Sequence, residues 1–210
     1  MTDEPTTAES ATDEPTGTVT LDTAALRVLA HPTRLALLNR LREHGPATVG
    51  QLAGHFDLDS GAASYHLRRL AAGGLIEEDT ARGNRRDRWW RARHRISMHD
   101  PADTDLAGAA DSRAYVQALA MAHGEALRRA ATETVPVMAD EWFAVSAFTD
   151  HTLRLTPTEL DRMKTELLAV VDRYREHAAS ADTESTGAES TGAAPVTVRV
   201  QAYPLLTDGE

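Results

Sequence analysis

Residues 59–70 read Asp59-Ser-Gly-Ala-Ala-Ser-Tyr-His-Leu-Arg-Arg-Leu70. Ala63, Leu67 and Leu70 fall on one face of a 3.6-residue helix. Ser60, Ala62, Ser64, Tyr65, Arg68 and Arg69 lie on the other, and no acid follows Asp59. A face of small residues, hydroxyls and guanidinium groups can approach a polyanion and hydrogen-bond to phosphates and base edges. Asp59 is placed to cap the free N–H groups of the first turn. Gly73-Gly74 supplies the stop, because glycine adopts the left-handed conformation at little cost. The expectation is a helix over 59–72 that lies in the major groove of DNA. Gly61, Ala62 and Ala63 offer no base-specific hydrogen bonds, so direct readout would rest on Ser60, Ser64, Tyr65 and Arg68.

The flanking sequence fits that use. Upstream, Thr48 and Gln51 form a capping-box pair, with Leu52, Ala53 and Phe56 pointing inward. A turn at Asp57-Leu58-Asp59 joins this helix to the next, which makes a helix-turn-helix. Pro32 opens an earlier helix with Leu35, Leu38 and Leu41 on its core stripe, ending near Gly45-Pro46. Leu21 to Ala30 forms a first helix with Ala25, Leu26 and Leu29 inward. Downstream, Leu75–Asp79 and Arg88–Arg91 are strand-like around a turn at Gly83-Asn84. This hairpin is expected to be a wing. Between 82 and 95 it carries seven arginines and one acid, Asp87. Arg82, Arg85, Arg86 and Arg88 are assigned to flanking DNA, since the forked guanidinium suits phosphate. The alternative is a solvated charged hairpin. Trp89 and Trp90 should point to opposite faces of their strand, one of them into the core.

The net charge of −10 argues against a nucleic-acid partner until its distribution is examined. Residues 21–95 hold 13 arginines and 8 acids, a net of +5, which leaves −15 for the rest. DNA feels the local field, screened over roughly 8 Å in physiological salt, rather than the total.

Composition bounds the remainder. The chain has 210 residues and no cysteine, so disulfides and thiolate metal sites are excluded. No apolar run is long enough to span a membrane, and the acidic, Thr-rich start is not a signal peptide, so a cytoplasmic location is expected. Residues 1–20, with TDEPT at 2–6 and again at 12–16, read as a disordered acidic tail. Residues 21–95 are the DNA-binding domain and 96–109 a linker with Pro101. Residues 110–178 form a helical and accessory region, and 179–194 a flexible loop in which TESTGAESTGA nearly repeats. Within the accessory region, Trp142–Phe148 and Leu153–Leu155 read as strands. A second helix, capped by Thr156 and Glu159, runs to about His177. Val196, Val198 and Val200 alternate with polar residues, and 195–204 is expected to be a strand that pairs with the accessory region. Trp142, Phe143, Phe148 and Tyr203 are either core or the lining of a pocket for a small organic effector. There is no glycine-rich phosphate loop, nucleophile elbow or usefully spaced carboxylate pair. No enzyme activity and no cofactor are expected. His94, His99 and Asp100 are read as linker residues rather than metal ligands.

Taken in order, LRVLAHPTRLALLNRL, TVGQLAGHFDLDSGAASYHLRRLAAGGLIEE and RGNRRDRWWRA resemble the ArsR-type winged-helix repressors over about a third of the chain. The resemblance implies a homodimer that binds double-stranded operator DNA. It also implies that the helix after the wing pairs with its mate, here through Tyr115, Val116, Leu119, Ala122 and Ala126; an intrachain core helix is the alternative. Metal-sensing members carry a Cys-x-Cys box where this chain has Thr48 and Gly50, so a member that does not sense metal is implied. The expected fold is mainly α with a small β content: a winged helix-turn-helix, a helical dimerisation segment and a small α+β C-terminal layer. The expected function is transcriptional regulation, by family habit repression. A winged-helix protein–protein interaction module that reads no DNA sequence is the alternative.

Overall fold

The computed structural model describes residues 17–82, 88–101, 108–184 and 193–205, with 179–184 given by backbone alone. The expected disordered tail (1–16), the wing tip with Arg85 and Arg86, and most of the expected 179–194 loop lie outside the described residues.

Each early helix starts where a side chain can satisfy its free N–H groups. Asp22 caps α1 (Thr23–Leu29), accepting from the Ala25 amide at 2.8 Å. His31 caps α2 (Pro32–His44) through Nδ1, and Pro32 sits in the first turn, where its missing N–H costs nothing. Strand β2 (Ala47–Thr48) leads into α3 (Val49–His55), where the Thr48–Gln51 capping box is formed in both directions, at 2.9 and 3.2 Å. Asp59 caps α4 (Ser60–Ala72), accepting from the Ala62 amide at 2.8 Å. The chain reverses between α3 and α4 with Asp57 at φ 51°, a left-handed conformation that Asp tolerates better than most residues. Gly74, at φ 70°, turns the chain out of α4.

The following hairpin is β3 (Ile76–Glu78) and β4 (Trp89–Ala92), antiparallel, with Ile76 opposite Ala92 and Glu78 opposite Trp90. On its other edge β4 pairs with β2, so the sheet order is β2-β4-β3. Trp90 is buried and Trp89 only half-buried, as strand alternation requires. Leu29, Leu37, Leu38, Leu67 and Leu70 are fully buried in one core shared by the helices and the sheet. Each such side chain contributes about 1.5–3 kcal/mol of transfer free energy.

Two elements differ from expectation here. Thr18–Thr20, placed in the tail, form β1, which runs parallel to β5 (Ile96–Met98), placed in the linker. Val19 packs against the core from this ladder, so the apolar residue in an otherwise polar stretch is what recruits it. The next helix, α5 (Ala109–Arg129), continues as a π turn over Ala130–Thr134 and a 3₁₀ turn over Val135–Val137, where Pro136 cannot donate to a continuing helix.

Beyond Met138 the chain forms a second compact unit. It contains α6 (Asp140–Val145) and α7 (Pro157–Glu184). The Thr156–Glu159 capping box of α7 is present, and the helix overruns its expected end into the segment read as a loop. The expected strands are not formed. Residues 142–145 are helical, because Asp140 and Glu141 in the first turn favour the helix dipole over period-2 pairing. Residues 153–155 and 195–204 carry no ladder, and Val196, Val198 and Tyr203 are exposed. Among the described residues, therefore, the expected α+β C-terminal layer is not formed. Among the described residues from 139 onward, none is buried. No described helix is long and apolar enough to cross a membrane.

Candidate nucleic-acid interface

Helices α3 and α4, the tight turn between them and the β3–β4 hairpin define a winged helix-turn-helix fold. The core fixes the orientation of α4, because Ala63, Leu67 and Leu70 are fully buried on one side. That leaves the opposite face outward. Ser60, Tyr65, Arg68 and Arg69 are exposed, and Ala62 and Ser64 are half-buried. All six α4 residues expected to meet DNA therefore lie together on one helix. Arg68 Nε donates to the Ser64 carbonyl at 3.2 Å, which lays the guanidinium along the helix surface.

Behind this face sits a cluster that the sequence pattern did not reveal. The rings of His66 and His31 lie 4.7 Å apart, and those of Tyr65 and His66 5.4 Å apart. Arg34, buried beneath, donates to the Val28 and Arg27 carbonyls and so closes the end of α1. Burial, followed by the charge of Arg34, holds His31 below its ordinary pKa. Burial, followed by His31 and Arg34, does the same for His66. Both rings therefore lose their proton more readily than a free imidazole. His31-Pro32 was legible as a helix boundary, but its contact with His66 depends on the tertiary fold.

The wing is anchored by Asp79, which is buried and accepts from the Ala81 and Arg82 amides at 3.2 and 3.3 Å. Its other oxygen lies 3.5 Å from Arg82 Nε. The arginines along the strands are not all unopposed, as the sequence count suggested. Arg88 pairs with Glu78 at 3.2 Å and lies over the Trp90 ring. Arg91 and Arg93 both pair with Glu77, at 2.8 and 3.4 Å. Strand register was the missing signal, since it sets Glu77 opposite Arg91. Exposed pairs of this kind contribute roughly 0–1 kcal/mol, so a phosphate can compete for these arginines.

The residues assigned to dimer contact are divided. Tyr115 is buried in the core of its own chain, and Leu119 and Ala122 pack against that core. Ala126 is half-buried, while Val116 is exposed on the other side of α5. The apolar stripe read as a pairing face is thus largely spent on α1 and α2, and a partner would have to use another face. His99 takes part in this packing, with Nε2 2.7 Å from Ser112 Oγ and its ring edge-on to Tyr115. Burial pushes Arg42 down to about 10; it holds the segment after the wing by donating to the His94 carbonyl and to Ser97 Oγ. In the second unit, Phe143, Phe148 and Tyr203 are exposed and Trp142 half-buried, so these aromatics form neither a core nor an enclosed pocket.

Residues 29–79 match a family model described as a helix-turn-helix domain. A comparison with curated proteins returned no match. Among solved structures, the chain is similar to a MarR family regulator from Neisseria meningitidis. The identity is 18%, with 70% of this chain and 78% of that one covered, at a TM-score of 0.28. It is also similar to the disulfide-formed structure of AbfR, at 15% identity, 70% and 71% coverage and a TM-score of 0.27.

Proposed function

We propose that this chain is a homodimeric, sequence-specific DNA-binding transcriptional regulator of the ArsR type, acting as a repressor. One observation carries the reading: α4 presents Ser60, Ser64, Tyr65, Arg68 and Arg69 outward on a buried apolar spine, with no acid after its cap, beside an arginine-rich hairpin. In this reading α4 enters the major groove, and Arg82, Arg85, Arg86 and Arg88 meet the flanking backbone. Two copies would read half-sites about one helical turn apart. Support for a second copy comes from α5, where Val116, Met121 and Leu127 are exposed, and from the second unit, in which no described residue is buried.

The test begins with fragments selected from the source genome, followed by titration of the enriched duplex. Arg68→Ala should lower specific affinity by about 1–3 kcal/mol if a base contact is lost. R85A and R86A should weaken all sequences evenly and flatten the dependence on salt. Transcription from a promoter carrying the enriched sequence should rise when the protein is removed. Unchanged binding by all three variants would overturn the assignment of the reading face. The pairing of Glu77 and Glu78 with three wing arginines favours a second reading, a protein–protein module. Such a module would enrich no palindrome and show no steep salt slope.

A further inference from the structure

A cavity of about 310 Å³ opens in the winged-helix domain between α2, β2, α3 and β4, away from the aromatics of the second unit. That volume sits at the lower end of the ~300–1,000 Å³ range of small-molecule sites. Its apolar wall is made by Pro46, Leu52 and the half-buried Trp89, and its polar groups are Arg40, His44 and Gln51. No acid lines it. Arg40 Nη1 is buried and has no hydrogen-bond partner among the described residues. Leaving a buried guanidinium nitrogen unpaired is costly, so its persistence calls for an acceptor. The Gln51 carbonyl oxygen is already committed to the Thr48 amide and hydroxyl, at 2.9 and 3.2 Å, which leaves its NH₂ to donate. The surrounding field has the same sign. His55 is depressed by burial first, then by Arg129, Arg40 and His44, with Glu133 the opposing charge.

An unpartnered guanidinium nitrogen and the Gln51 amide on one side, with Trp89 in the opposite wall, describe a definite ligand. We propose that this cavity binds a small organic anion with a flat apolar body, the anionic group on Arg40 and the body against Trp89. The same cavity gives such a ligand a lever. Trp89 is paired in register with Thr48, the cap of α3, and opens the wing strand directly after Arg88. Occupancy would shift the wing relative to the helix-turn-helix; this coupling rests on the DNA-binding reading above, whereas the binding does not.

Isothermal titration of the full chain with benzoate and with phenyl phosphate tests the site, with benzyl alcohol as the uncharged control. Both anions should bind, and Arg40→Gln should weaken them about tenfold or more, the scale of a lost charge-assisted hydrogen bond. R40K, which keeps the charge without the fork, should fall between. Thermal melts check that the variants are folded. Binding of benzyl alcohol as tight as benzoate, R40Q binding equal to the parent, or no heat from either anion would overturn the proposal. A loss of duplex affinity in R40Q with no anion present, together with displacement of benzoate by duplex, would make the cavity a DNA-phosphate contact and also overturn it. Duplex titrations with saturating benzoate test the lever. A shift in the parent that is absent in R40Q supports it, and an unchanged affinity removes the lever while leaving the site. A parent that binds no duplex under any condition refutes the DNA reading instead, and the benzoate heats still decide the cavity.

Discussion

The two units of this chain carry equally clean apolar stripes and use them in opposite ways. In the first, α1, α2 and α4 bring Leu29, Leu38 and Leu67 into one core with no exposed surface. In the second, α7 lines up Leu160, Met163, Leu167, Val170 and Tyr174, yet Leu167, Leu168, Val170 and Tyr174 remain exposed and no described residue from 139 onward is buried. An apolar stripe states that a helix needs cover. It does not state whether the cover comes from the same chain.

Core truncation should give the largest contrast. Leu38→Ala and Leu67→Ala should each cost about 2–5 kcal/mol in denaturant unfolding of the first unit. Leu168→Ala should cost below about 0.5 kcal/mol if the second unit stands as it does in one chain. A cost above about 2 kcal/mol that grows with protein concentration would break the contrast, placing Leu168 inside an assembly.

The capping boxes allow a finer comparison, since both units have one. Thr48→Ala should lower the stability of the first unit by about 1 kcal/mol, because α3 melts only with its core. Thr156→Ala should reduce α7 helicity, read by circular dichroism, without moving the melt of the first unit.

Acid should also separate the units. His31, His55 and His66 all lie in the first and are all held below their ordinary value, with burial the largest cause. The unfolded chain therefore takes up protons that the folded one refuses. Stability should be level above about pH 7 and fall as pH drops below 6.5, the unfolded value, towards the depressed folded values. His66→Gln should blunt that fall, measured as the difference in Tm between pH 7.5 and 5.5; an unaltered difference would mean that His66 does not contribute.

Within the first unit, the smallest effect is expected at Gly73, where an added Cβ would lie 3.1 Å from Val28 Cγ2. Gly73→Ala should cost under about 1 kcal/mol, as Val28 gives by a few tenths of an ångström.

Much of the first unit was legible because its signals are local. Caps at Thr48 and Asp59, Pro32 in a first turn and the Leu35, Leu38, Leu41 stripe each dictate structure within a few residues. The outward face of α4 followed from its buried spine. What escaped depends on partners distant in sequence. Glu77 against Arg91 needs the hairpin register, His31 against His66 needs the core, and Arg40 is an unremarkable helix arginine until Trp89 walls it in. Tyr115 was assigned to another chain because periodicity alone does not choose between an internal and an external neighbour. In the second unit, period-2 alternation at 142–148 and 196–203 suggested strands, but a strand requires a ladder partner, and none is supplied by the described residues.

The pairing of β1 with β5 has a mechanical meaning. The Leu21 amide reaches the Met98 carbonyl at 2.9 Å and the Arg95 amide the Gly17 carbonyl at 3.0 Å, so the clasp extends past both ends of the ladder. Because the strands are parallel, a pull on the chain before Thr18 and a pull on the chain after Met98 act at opposite ends of the ladder. Its hydrogen bonds are then loaded together in shear rather than peeled one at a time. Tension between the two ends of the winged-helix domain is borne at this clasp, before it reaches the helices that orient α4.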